Sequence, residues 1–323
     1  MSRSPFSESR ARGAGFLLAW SATLAAAAGV ALHFNPWDAE PLVLAASVAP
    51  YLMATAVLAV LAFAVLRHRV GAAVAVSVLG AGIWTQAPLY AGAGADGHPL
   101  TVMQSNLLFE GADPRALVEE VRARGVTLLT VNELTPAALA ELGRAGLDEL
   151  LPHRHVSPGR TATGTGIWSG YPLTDTVEYD GYVLNQLSAT ATIPGVGPVS
   201  VYAFHPVPPI YGVGVWSREL SGLRAILDRA PADRPAIVGG DLNATFDHAR
   251  FRALLGGRFR DAAEQSGAGH LVTYPTDKRY PPLVGIDHIL VAGGHTDQVG
   301  TVPLPGADHR ALVARLRLNR AQP

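Results

Sequence analysis

GGDLNATFDH, residues 239–248, follows directly on the apolar run of residues 235–238. Side chains of a strand alternate between its two faces, so Asp241 and Asn243 point the same way if the extended geometry continues through this stretch. The two glycines allow another group to approach the backbone closely. A turn is the simpler interpretation, because Asp and Asn are common turn residues. The remainder of the chain has to distinguish a turn from a ligand site.

Polar residues recur at the ends of other predicted strands. They are Asn106, Glu133, His205, Asp287, and the pair Asp308-His309 that precedes the last strand. Ligands of open α/β folds gather beyond strand ends. Carboxylate, amide and imidazole groups suit Mg²⁺ or Mn²⁺, whereas the Cys or HxxxH spacing of zinc sites is absent. Taken singly, Asn106 and His205 are better explained as a capped strand end and a packed core histidine, and Glu133 could be a charge at a helix N-terminus. Six such ends in one domain favour a single metal site.

Strand and helix patterns alternate from residue 98 onward. Strands are predicted at residues 100–106, 126–131, 165–169, 182–193, 199–204, 236–240, 286–291 and 311–318. Helices are predicted at residues 113–124, 136–145 and 216–228, the first with Asp113 as its N-cap and Pro114 at its first position. Because several strands are consecutive, we expect an α/β sandwich rather than a parallel doubly wound sheet.

Composition narrows the function. The chain has no cysteine, which excludes disulfides, thiolate metal sites and cysteine nucleophiles. Residues 98–323 carry 20 Lys and Arg against 22 Asp and Glu. Domains that grip nucleic acid by its phosphates usually present a basic face. The charge therefore argues mildly against a nuclease without excluding a local basic patch.

Three apolar stretches occupy the first ninety residues. They cover residues 14–33, 42–66 and 70–90 and contain no internal charge. Each is long enough to cross a hydrocarbon core of about 30 Å. We therefore predict a membrane anchor of three transmembrane helices over residues 1–90, a flexible linker over 91–97 and a catalytic domain over 98–323. A cleaved signal peptide is the alternative for the first stretch.

The short loops predict the orientation of this anchor. Its basic residues are Arg3, Arg10, Arg12, Arg67 and Arg69. The loop between the first two stretches, residues 35–40, has no Lys or Arg. Positively charged segments stay in the cytoplasm, so the chain after residue 90 is expected outside. The prediction is a multi-pass protein of the cytoplasmic membrane with an extracytoplasmic catalytic domain.

Seven short motifs, and the order in which they occur along the chain, indicate a relationship to a known superfamily. They are QSNLLF (104–109), VNEL (131–134), GTGIWSGYP (164–172), FHPVPP (204–209), GGDLNAT (239–245), GIDHILV (285–291) and ADHRALVARL (307–316). Together they resemble the endonuclease/exonuclease/phosphatase superfamily, which includes apurinic endonucleases, deoxyribonuclease I, sphingomyelinases and inositol-polyphosphate 5-phosphatases. The similarity covers nearly all of residues 98–320. It implies a DNase I-like four-layer α/β sandwich that hydrolyses phosphoesters with a divalent metal, Mg²⁺ or Mn²⁺.

The resemblance also implies a role for each polar strand end. Metal binding would fall to Glu133 as the principal ligand, with Asn106 and Asp308 close to the metal. Catalysis would involve Asp241 on the attacking water, Asn243 and His205 on the phosphate, His309 on the developing charge, and Asp287 orienting His309.

The sequence departs from the superfamily pattern at two points. Position 132 is Asn where many members have Gln, and the Tyr or Arg that nucleases place near the phosphate has only Tyr171 and Arg160 as candidates.

Trp168 and Tyr171, with the loop of residues 207–211, are predicted to bind the substrate in a lipid-facing pocket. Ordinary packing and a rigid proline turn explain these residues equally well.

The anchor and the HPVPP stretch resemble the VanJ-type glycopeptide-resistance proteins of actinobacteria. For these, the implied substrate is undecaprenyl pyrophosphate, a phosphorylated lipid of the membrane. Tethering raises the effective concentration of such substrates. The alternatives are an extracellular or membrane-bound nuclease, and a non-catalytic membrane protein that retains the fold. Nucleic acid is therefore a possible but less favoured partner.

Overall fold

The computed structural model describes residues 5–94 and 96–321, with side chains from residue 12 onward. The chain divides into two compact units. One comprises Met1–Pro88 and Asp247–Ala249, and the other comprises Leu89–Phe246 and Arg250–Pro323. Arg3 and the side chain of Arg10, on which the predicted orientation partly rests, lie outside the described residues.

The first unit contains four helices rather than three. They are α1 (Pro5–His33), α2 (Glu40–Ala46), α3 (Ala49–Val65) and α4 (Arg69–Gln86), followed by a 3-10 turn over Ala87–Tyr90. Two segments, Arg12–His33 and Arg69–Tyr90, are long and apolar enough to cross a membrane. The predicted middle span is divided into α2 and α3, which are bent by 65°. Within the described residues there are thus two candidate spans, or three if the bent pair counts as one.

Pro50 explains the break in the middle stretch. Proline has no N–H to donate and its ring clashes with the carbonyl four residues earlier, here that of Ala46, the last residue of α2. Pro50 instead occupies the first turn of α3, where a missing N–H costs nothing. Counting apolar residues predicted one continuous span because it ignored this proline.

Large and small side chains are distributed unusually in the first unit. Alanines such as Ala19, Ala59 and Ala75 are buried between the helices, whereas Leu17, Val65 and Trp84 are exposed. Small residues let helices approach closely, as in helices packed within lipid. The outer surface of this unit is consequently rich in bulky apolar groups.

The second unit is built on two six-stranded sheets. Sheet A has the order β11-β12-β1-β2-β4-β3, and sheet B has the order β5-β6-β7-β8-β10-β9. The strands of sheet A are β1 (His98–Asn106), β2 (Leu128–Asn132), β3 (His153–Ser157), β4 (Thr165–Ser169), β11 (Gly294–Pro303) and β12 (Arg310–Leu318). Those of sheet B are β5 (Leu173–Tyr179), β6 (Gln186–Ile193), β7 (Gly197–Phe204), β8 (Ala236–Asp241), β9 (Arg260–Asp261) and β10 (Asp287–Ala292).

Six helices accompany the sheets. They are α5 (Pro114–Ala123), α6 (Pro136–Arg144), α7 (Leu147–Leu150), α8 (Val213–Asp228), α9 (Ala249–Leu254) and α10 (Ala262–Ser266). Asp113 caps α5 as predicted, because its carboxylate accepts a hydrogen bond from the backbone N–H of Arg115 at 2.9 Å. The apolar face of α5, with Leu117 and Val121, belongs to the core cluster that covers Leu129 of sheet A. Burial of such a leucine stabilises the fold by about 1.5–3 kcal/mol. The predicted α/β sandwich is confirmed.

Strand register brings the polar ends of neighbouring strands together. In sheet A, Asn106 pairs with Asn132 across the parallel strands β1 and β2. In sheet B, Asp241 pairs with Asp287 across the antiparallel strands β8 and β10. In each sheet the polar residues therefore lie together at the termini of neighbouring strands.

Gly239 and Gly240 serve packing rather than ligand access. A Cβ on Gly239 would overlap the side chain of Thr130, and one on Gly240 would overlap the carbonyl of Phe204. The groups that approach these two glycines closely therefore belong to the protein itself. The glycines allow sheet B to approach Thr130 of sheet A.

The segment that follows the helices is partly held in place. The N–H of Ala93 donates to the carbonyl of Gln265 at 3.3 Å, and the N–H of Gly269 donates to the carbonyl of Leu89 at 2.8 Å. Gly92 packs so closely on Ser266 that a Cβ would overlap it. The first residues of the predicted flexible linker are thus fixed to the second unit.

Candidate active site

The two sheets contribute equal shares of one polar cluster. Sheet A supplies four residues: Asn106 at the end of β1, Glu133 after β2, and Asp308-His309 before β12. Sheet B also supplies four: His205 after β7, Asp241 at the end of β8, Asn243 just after it, and Asp287 at the start of β10. The structure therefore brings together eight of the ten predicted site residues when Asn243 is included, and the roles of these residues remain predictions.

Residues 239–248, the stretch quoted first, form a turn after strand β8, and this turn holds the predicted site residues Asp241 and Asn243. Strand β8 ends at Asp241, whose Oδ1 accepts a hydrogen bond from the N–H of Asn243 at 2.9 Å. Asn243 has a left-handed backbone with φ of 48°, so the extended geometry does not continue. Its side-chain Nδ2 donates to the carbonyl of Pro206 at 3.0 Å, and its own carbonyl accepts from Trp216 Nε1 at 3.0 Å. This Asx-type turn fixes Asn243 beside Asp241.

Glu133 also occupies a left-handed position, with φ of 58°. Such a conformation costs a non-glycine residue about 1–3 kcal/mol and persists only where the surroundings enforce it. The next residue, Leu134, is held by a hydrogen bond from its N–H to the carbonyl of Gly164 at 3.0 Å. Glu133 Oε1 accepts from Asn106 Nδ2 at 3.2 Å, which points the carboxylate into the cluster.

Asn106 connects carboxylates of the two sheets. Its Nδ2 donates to Glu133 Oε1 at 3.2 Å and to Asp241 Oδ2 at 3.1 Å. Its Oδ1 accepts from the N–H of Leu108 at 3.0 Å. The amide nitrogen, not the oxygen, faces the carboxylates, and nitrogen of an amide does not bind cations. Asn106 thus bridges two carboxylates of the cluster as a donor, and its place close to the metal stays a prediction.

His309 lies between two buried carboxylates. Its Nδ1 is 2.7 Å from Asp287 Oδ2, and its Nε2 is 3.7 Å from Asp241 Oδ2. Burial disfavours the charged ring, but Asp287 and Asp241 outweigh it and raise the pKa of His309 to about 10. The imidazole is therefore protonated at neutral pH. The ring of Tyr274 packs on it, with centroids 4.8 Å apart.

Asp241 is tuned to titrate near neutrality. Burial raises its pKa to about 7, the charge of His309 opposes the rise, and the charges of Asp287 and Glu133 add to it. Its carboxylate is almost fully buried at the edge where the two sheets meet. A carboxylate with this pKa can accept a proton at physiological pH.

His205 differs from His309 in its charge state. Its Nε2 lies 3.7 Å from Asp241 Oδ2. Complete burial, together with the nearby charge of His309, lowers the pKa of His205 to about 3. Its ring is therefore neutral, and the contact with Asp241 is not an ion pair.

Two oxygens in the cluster suit a metal ion. Glu133 Oε2 and Asp308 Oδ1 are buried and have no hydrogen-bond partner among the described residues. Burial raises the pKa of both carboxyls, and Asp308 raises that of Glu133 further. Unpaired buried carboxylates are costly unless a cation neutralises them, and hard oxygen ligands suit Mg²⁺ or Mn²⁺.

A second grouping is less suited to a metal. One ligand atom each of Asp241, Asp287 and His309 lies within 4.8 Å of the others. However, the protonated ring of His309 already lies between the two carboxylates, and an imidazolium cannot bind a cation. Glu133 and Asp308 are therefore the better candidates.

Sequence reasoning missed Asn132, Gln104 and Tyr274. Asn132 Oδ1 accepts from Gln104 Nε2 and from the N–H of Asp241, both at 2.8 Å, and its Nδ2 donates to the carbonyl of Phe204 at 3.2 Å. The sequence does contain a signal for Gln104. It lies two residues before Asn106 in β1, so the two side chains point to the same face of the strand. Nothing in the sequence pattern pairs Tyr274 with His309.

Trp168 and Tyr171 are not brought to the cluster. Trp168 is fully buried in the core with α5 to α7, and its Nε1 donates to Asp148 at 3.2 Å. Tyr171 follows Ser169, which pairs with Leu128 at the far end of β2. That end is about 13 Å from Asn132 at 3.3 Å per residue. Both residues therefore lie away from the polar cluster, and their substrate-binding role stays a prediction.

Arg160 lies nearer the cluster than Tyr171 does. It is exposed in the loop between β3 and β4. This loop joins Ser157 to Thr165, and Thr165 pairs with Asn132 at the polar edge of sheet A.

Comparisons with known proteins agree with this geometry. Residues 103–309 match the model of the Endonuclease/Exonuclease/phosphatase family. A comparison with curated proteins found no significant match.

Solved structures show the same fold. A humanized D. rerio TDP2 with 14 mutations is 18% identical, with a TM-score of 0.57 over 68% of this chain and 99% of that one. D. rerio TDP2 complexed with a single-strand DNA product is 16% identical, with a TM-score of 0.56 over 68% and 99% of the two chains. An endonuclease/exonuclease/phosphatase from Beutenbergia cavernae is 21% identical, with a TM-score of 0.55 over 69% and 72%. At these identities the likeness concerns the fold alone.

Proposed function

Because the chain belongs to the Endonuclease/Exonuclease/phosphatase family, whose members hydrolyse phosphoesters, we propose that it is a Mg²⁺- or Mn²⁺-dependent phosphohydrolase acting on lipid-linked phosphate or pyrophosphate. The observation that carries the proposal is the chain of contacts Asp287–His309–Asp241 beside the unpaired oxygens of Glu133 and Asp308. This arrangement combines a proton acceptor, Asp241, and a fixed cation, His309, with two oxygens that suit a metal ion.

The protein groups have separate tasks in this proposal. Asp241 accepts the proton of the attacking water, since its pKa of about 7 leaves it partly ionised at neutral pH. His309 donates a hydrogen bond to the oxygen on which negative charge develops, and Asp287 holds its Nδ1. Asn243 and neutral His205 orient the phosphoryl oxygens. Each group is placed by the fold before the substrate arrives.

Glu133 and Asp308 would hold the metal ion. Their partnerless oxygens and raised pKa values fit a divalent cation. When bound, such an ion polarises the phosphate oxygens. Asn106 keeps Glu133 and Asp241 at a fixed separation by donating to both.

A membrane lipid is the proposed source of the phosphate. Support comes from the candidate spans, from the bulky apolar surface of the first unit, and from a slightly acidic domain over residues 98–323. We place the domain outside the cytoplasmic membrane and propose a pyrophosphate resembling undecaprenyl pyrophosphate, as the VanJ-type resemblance implies. Alkaline phosphatase fused after residue 323 is expected to be active; activity of a cytoplasmic reporter there would overturn the topology.

The decisive experiment compares three substrates. Full-length protein in detergent with Mg²⁺ is assayed on a lipid pyrophosphate, an oligonucleotide and an inositol phosphate. We expect the highest kcat/KM on the lipid pyrophosphate and loss of activity with EDTA. No hydrolysis of any of the three would overturn the proposed chemistry.

A nuclease is the second candidate. The observation in its favour is that D. rerio TDP2, with the same fold, has been crystallised with a single-strand DNA product. Preference for the oligonucleotide over every lipid phosphate would replace the lipid proposal by this one.

A further inference from the structure

Two proline-containing loops leave the active-site cluster. The first, residues 206–212, follows His205, and Asn243 Nδ2 binds its first carbonyl, that of Pro206. The second, residues 275–283, lies between Tyr274 and Val284, which form a backbone bridge. Since the ring of Tyr274 packs on His309, both loops begin at residues that touch the proposed catalytic groups.

The first loop holds two apolar side chains out in solvent. Its base is fixed, because Val207 is buried and its N–H donates to Glu219 Oε2 at 2.8 Å. A 3-10 turn over Pro209–Tyr211 follows. Beyond this base, Ile210 is 74% exposed and Tyr211 is 63% exposed. The proline and the hydrogen-bonded turn restrict the loop, so these side chains are presented rather than merely mobile.

The chemistry of the first loop is uniform. Residues 206–214 contain no charged side chain. Nucleic-acid grooves need cations to follow the phosphates, and this loop offers none. The second loop does carry charged residues, Asp277, Lys278 and Arg279, of which Lys278 is paired with Asp277 at 2.7 Å. The next residue, Tyr280, is 49% exposed and precedes two prolines. Isolated exposed apolar residues are normal, whereas exposed apolar side chains that lie together are typical of binding surfaces.

The position of Ile210 limits what binds there. It lies five residues after His205, which places it within about 17 Å of that histidine even in a fully extended chain. An apolar group in this range is most simply attached to the phosphate itself. A distant apolar part of the substrate can also supply binding energy for the chemical step.

We propose that Ile210 and Tyr211, with Tyr280 on the second loop, bind the hydrocarbon chain of the substrate next to the phosphate. This inference rests on the proposed lipid phosphohydrolase function and adds to it the residues that select for chain length. Hydrolysis should therefore become more efficient as the chain lengthens, until the chain covers these side chains.

The test uses a series of soluble probes with one head group. Full-length protein in detergent is assayed on dimethylallyl, geranyl and farnesyl pyrophosphate, and on p-nitrophenyl phosphate as a chain-free substrate. The variant is Ile210→Ser with Tyr211→Ser. The control is Val177→Ser, which removes a 41% exposed valine from edge strand β5.

We expect kcat/KM of the wild type to rise along the series, since each methylene group that moves from water onto an apolar surface strengthens binding. The double variant should lose about tenfold on farnesyl pyrophosphate and little on dimethylallyl pyrophosphate or p-nitrophenyl phosphate, while the control matches the wild type. Equal losses on all four substrates, or a wild type indifferent to chain length, would overturn the inference and leave the phosphohydrolase proposal intact. Absence of hydrolysis of every pyrophosphate by the wild type would instead contradict the lipid proposal itself.

Discussion

The side-chain oxygen of Asn132, at the end of β2, accepts a hydrogen bond from the backbone N–H of Asp241, at the end of β8, over 2.8 Å. This bond joins sheet A to sheet B directly behind the proposed proton acceptor. The same amide donates to the carbonyl of Phe204 in sheet B at 3.2 Å. Asn132 thus fixes the separation of the two sheets where the catalytic groups meet.

Asn132→Leu should lower both stability and activity. The change leaves the N–H of Asp241, Gln104 Nε2 and the carbonyl of Phe204 without this partner, at a cost of about 1–3 kcal/mol for each buried group. Urea unfolding and kcat measure the two effects. Asn319→Leu, at an exposed position after β12, is the control and should behave as wild type. A stable but inactive Asn132→Leu would confine its role to positioning.

Asp241→Asn and His309→Gln should each reduce kcat by roughly 10²–10⁴-fold, because they remove a proton acceptor and a fixed cation respectively. Asn is near-isosteric with Asp, so Asp241→Asn should change the unfolding midpoint little, whereas His309→Gln also leaves Asp287 without its buried partner and should lower the midpoint. Tyr171→Phe, at the far end of sheet A, should leave kcat unchanged. Full activity of Asp241→Asn would exclude the proposed mechanism.

Activity should follow a bell-shaped pH profile. The pKa of Asp241 is raised to about 7, so its reactive carboxylate form appears as pH rises through that value. The pKa of His309 is raised to about 10, so its cation is lost above it. A profile of kcat/KM from about pH 5 to 11 should show both limbs. The residual activity of Asp241→Asn should lack the acidic limb; persistence of that limb would assign it to another group.

Glu133→Gln should raise the Mg²⁺ concentration needed for half-maximal activity by about tenfold or more, because it removes a formal charge from a site of hard ligands. The measurement is a Mg²⁺ titration of activity after treatment with EDTA. Glu141→Gln, on the partly exposed face of α6, is the matched control. An unchanged Mg²⁺ requirement would point to the Asp241–Asp287–His309 grouping as the metal site instead.

A second histidine–carboxylate pair should make stability depend on pH. His288 Nδ1 is 2.6 Å from Asp261 Oδ2, and its Nε2 is 2.9 Å from the carbonyl of Ala244. Burial opposes the charge, but Asp261 prevails and raises the pKa of His288.

The stabilisation by this pair is complete below the ordinary histidine pKa and is lost as pH rises through the raised value. Wild type should therefore exceed His288→Gln in thermal stability at acidic pH and approach it at alkaline pH. A difference independent of pH would show that the pair is not charged.

The sequence pattern predicted the interior strands of the two sheets better than their edge strands. All eight interior strands of the two sheets were anticipated, whereas the four unrecognised strands, β3, β5, β9 and β11, are the sheet edges. Edge strands pair on one side only and expose more of their side chains, so they lack the apolar runs that mark buried strands. Strand β5, with five consecutive exposed residues, illustrates this directly.

Site residues were predictable by type but not by atomic role. Asp241 and Glu133 were recognisable because they end apolar strands. The direction of the Asn106 amide and the bond of Asn132 depend on the register between sheets, which no local pattern encodes. The bend before α3 could have been predicted, since Pro50 stands inside the apolar stretch.

Every strand of sheet B falls between residues 173 and 292, whereas sheet A is assembled from segments on either side of that range. The chain therefore carries four of the eight clustered site residues, whose catalytic roles are proposed, on one continuous segment. Exchanging residues 173–292 with those of a relative would transfer that half in one step. Such a chimaera would fold productively only if the incoming glycine at 239 met a side chain as small as Thr130 of the host. Recombination between family members would thus be constrained at this contact between the two sheets.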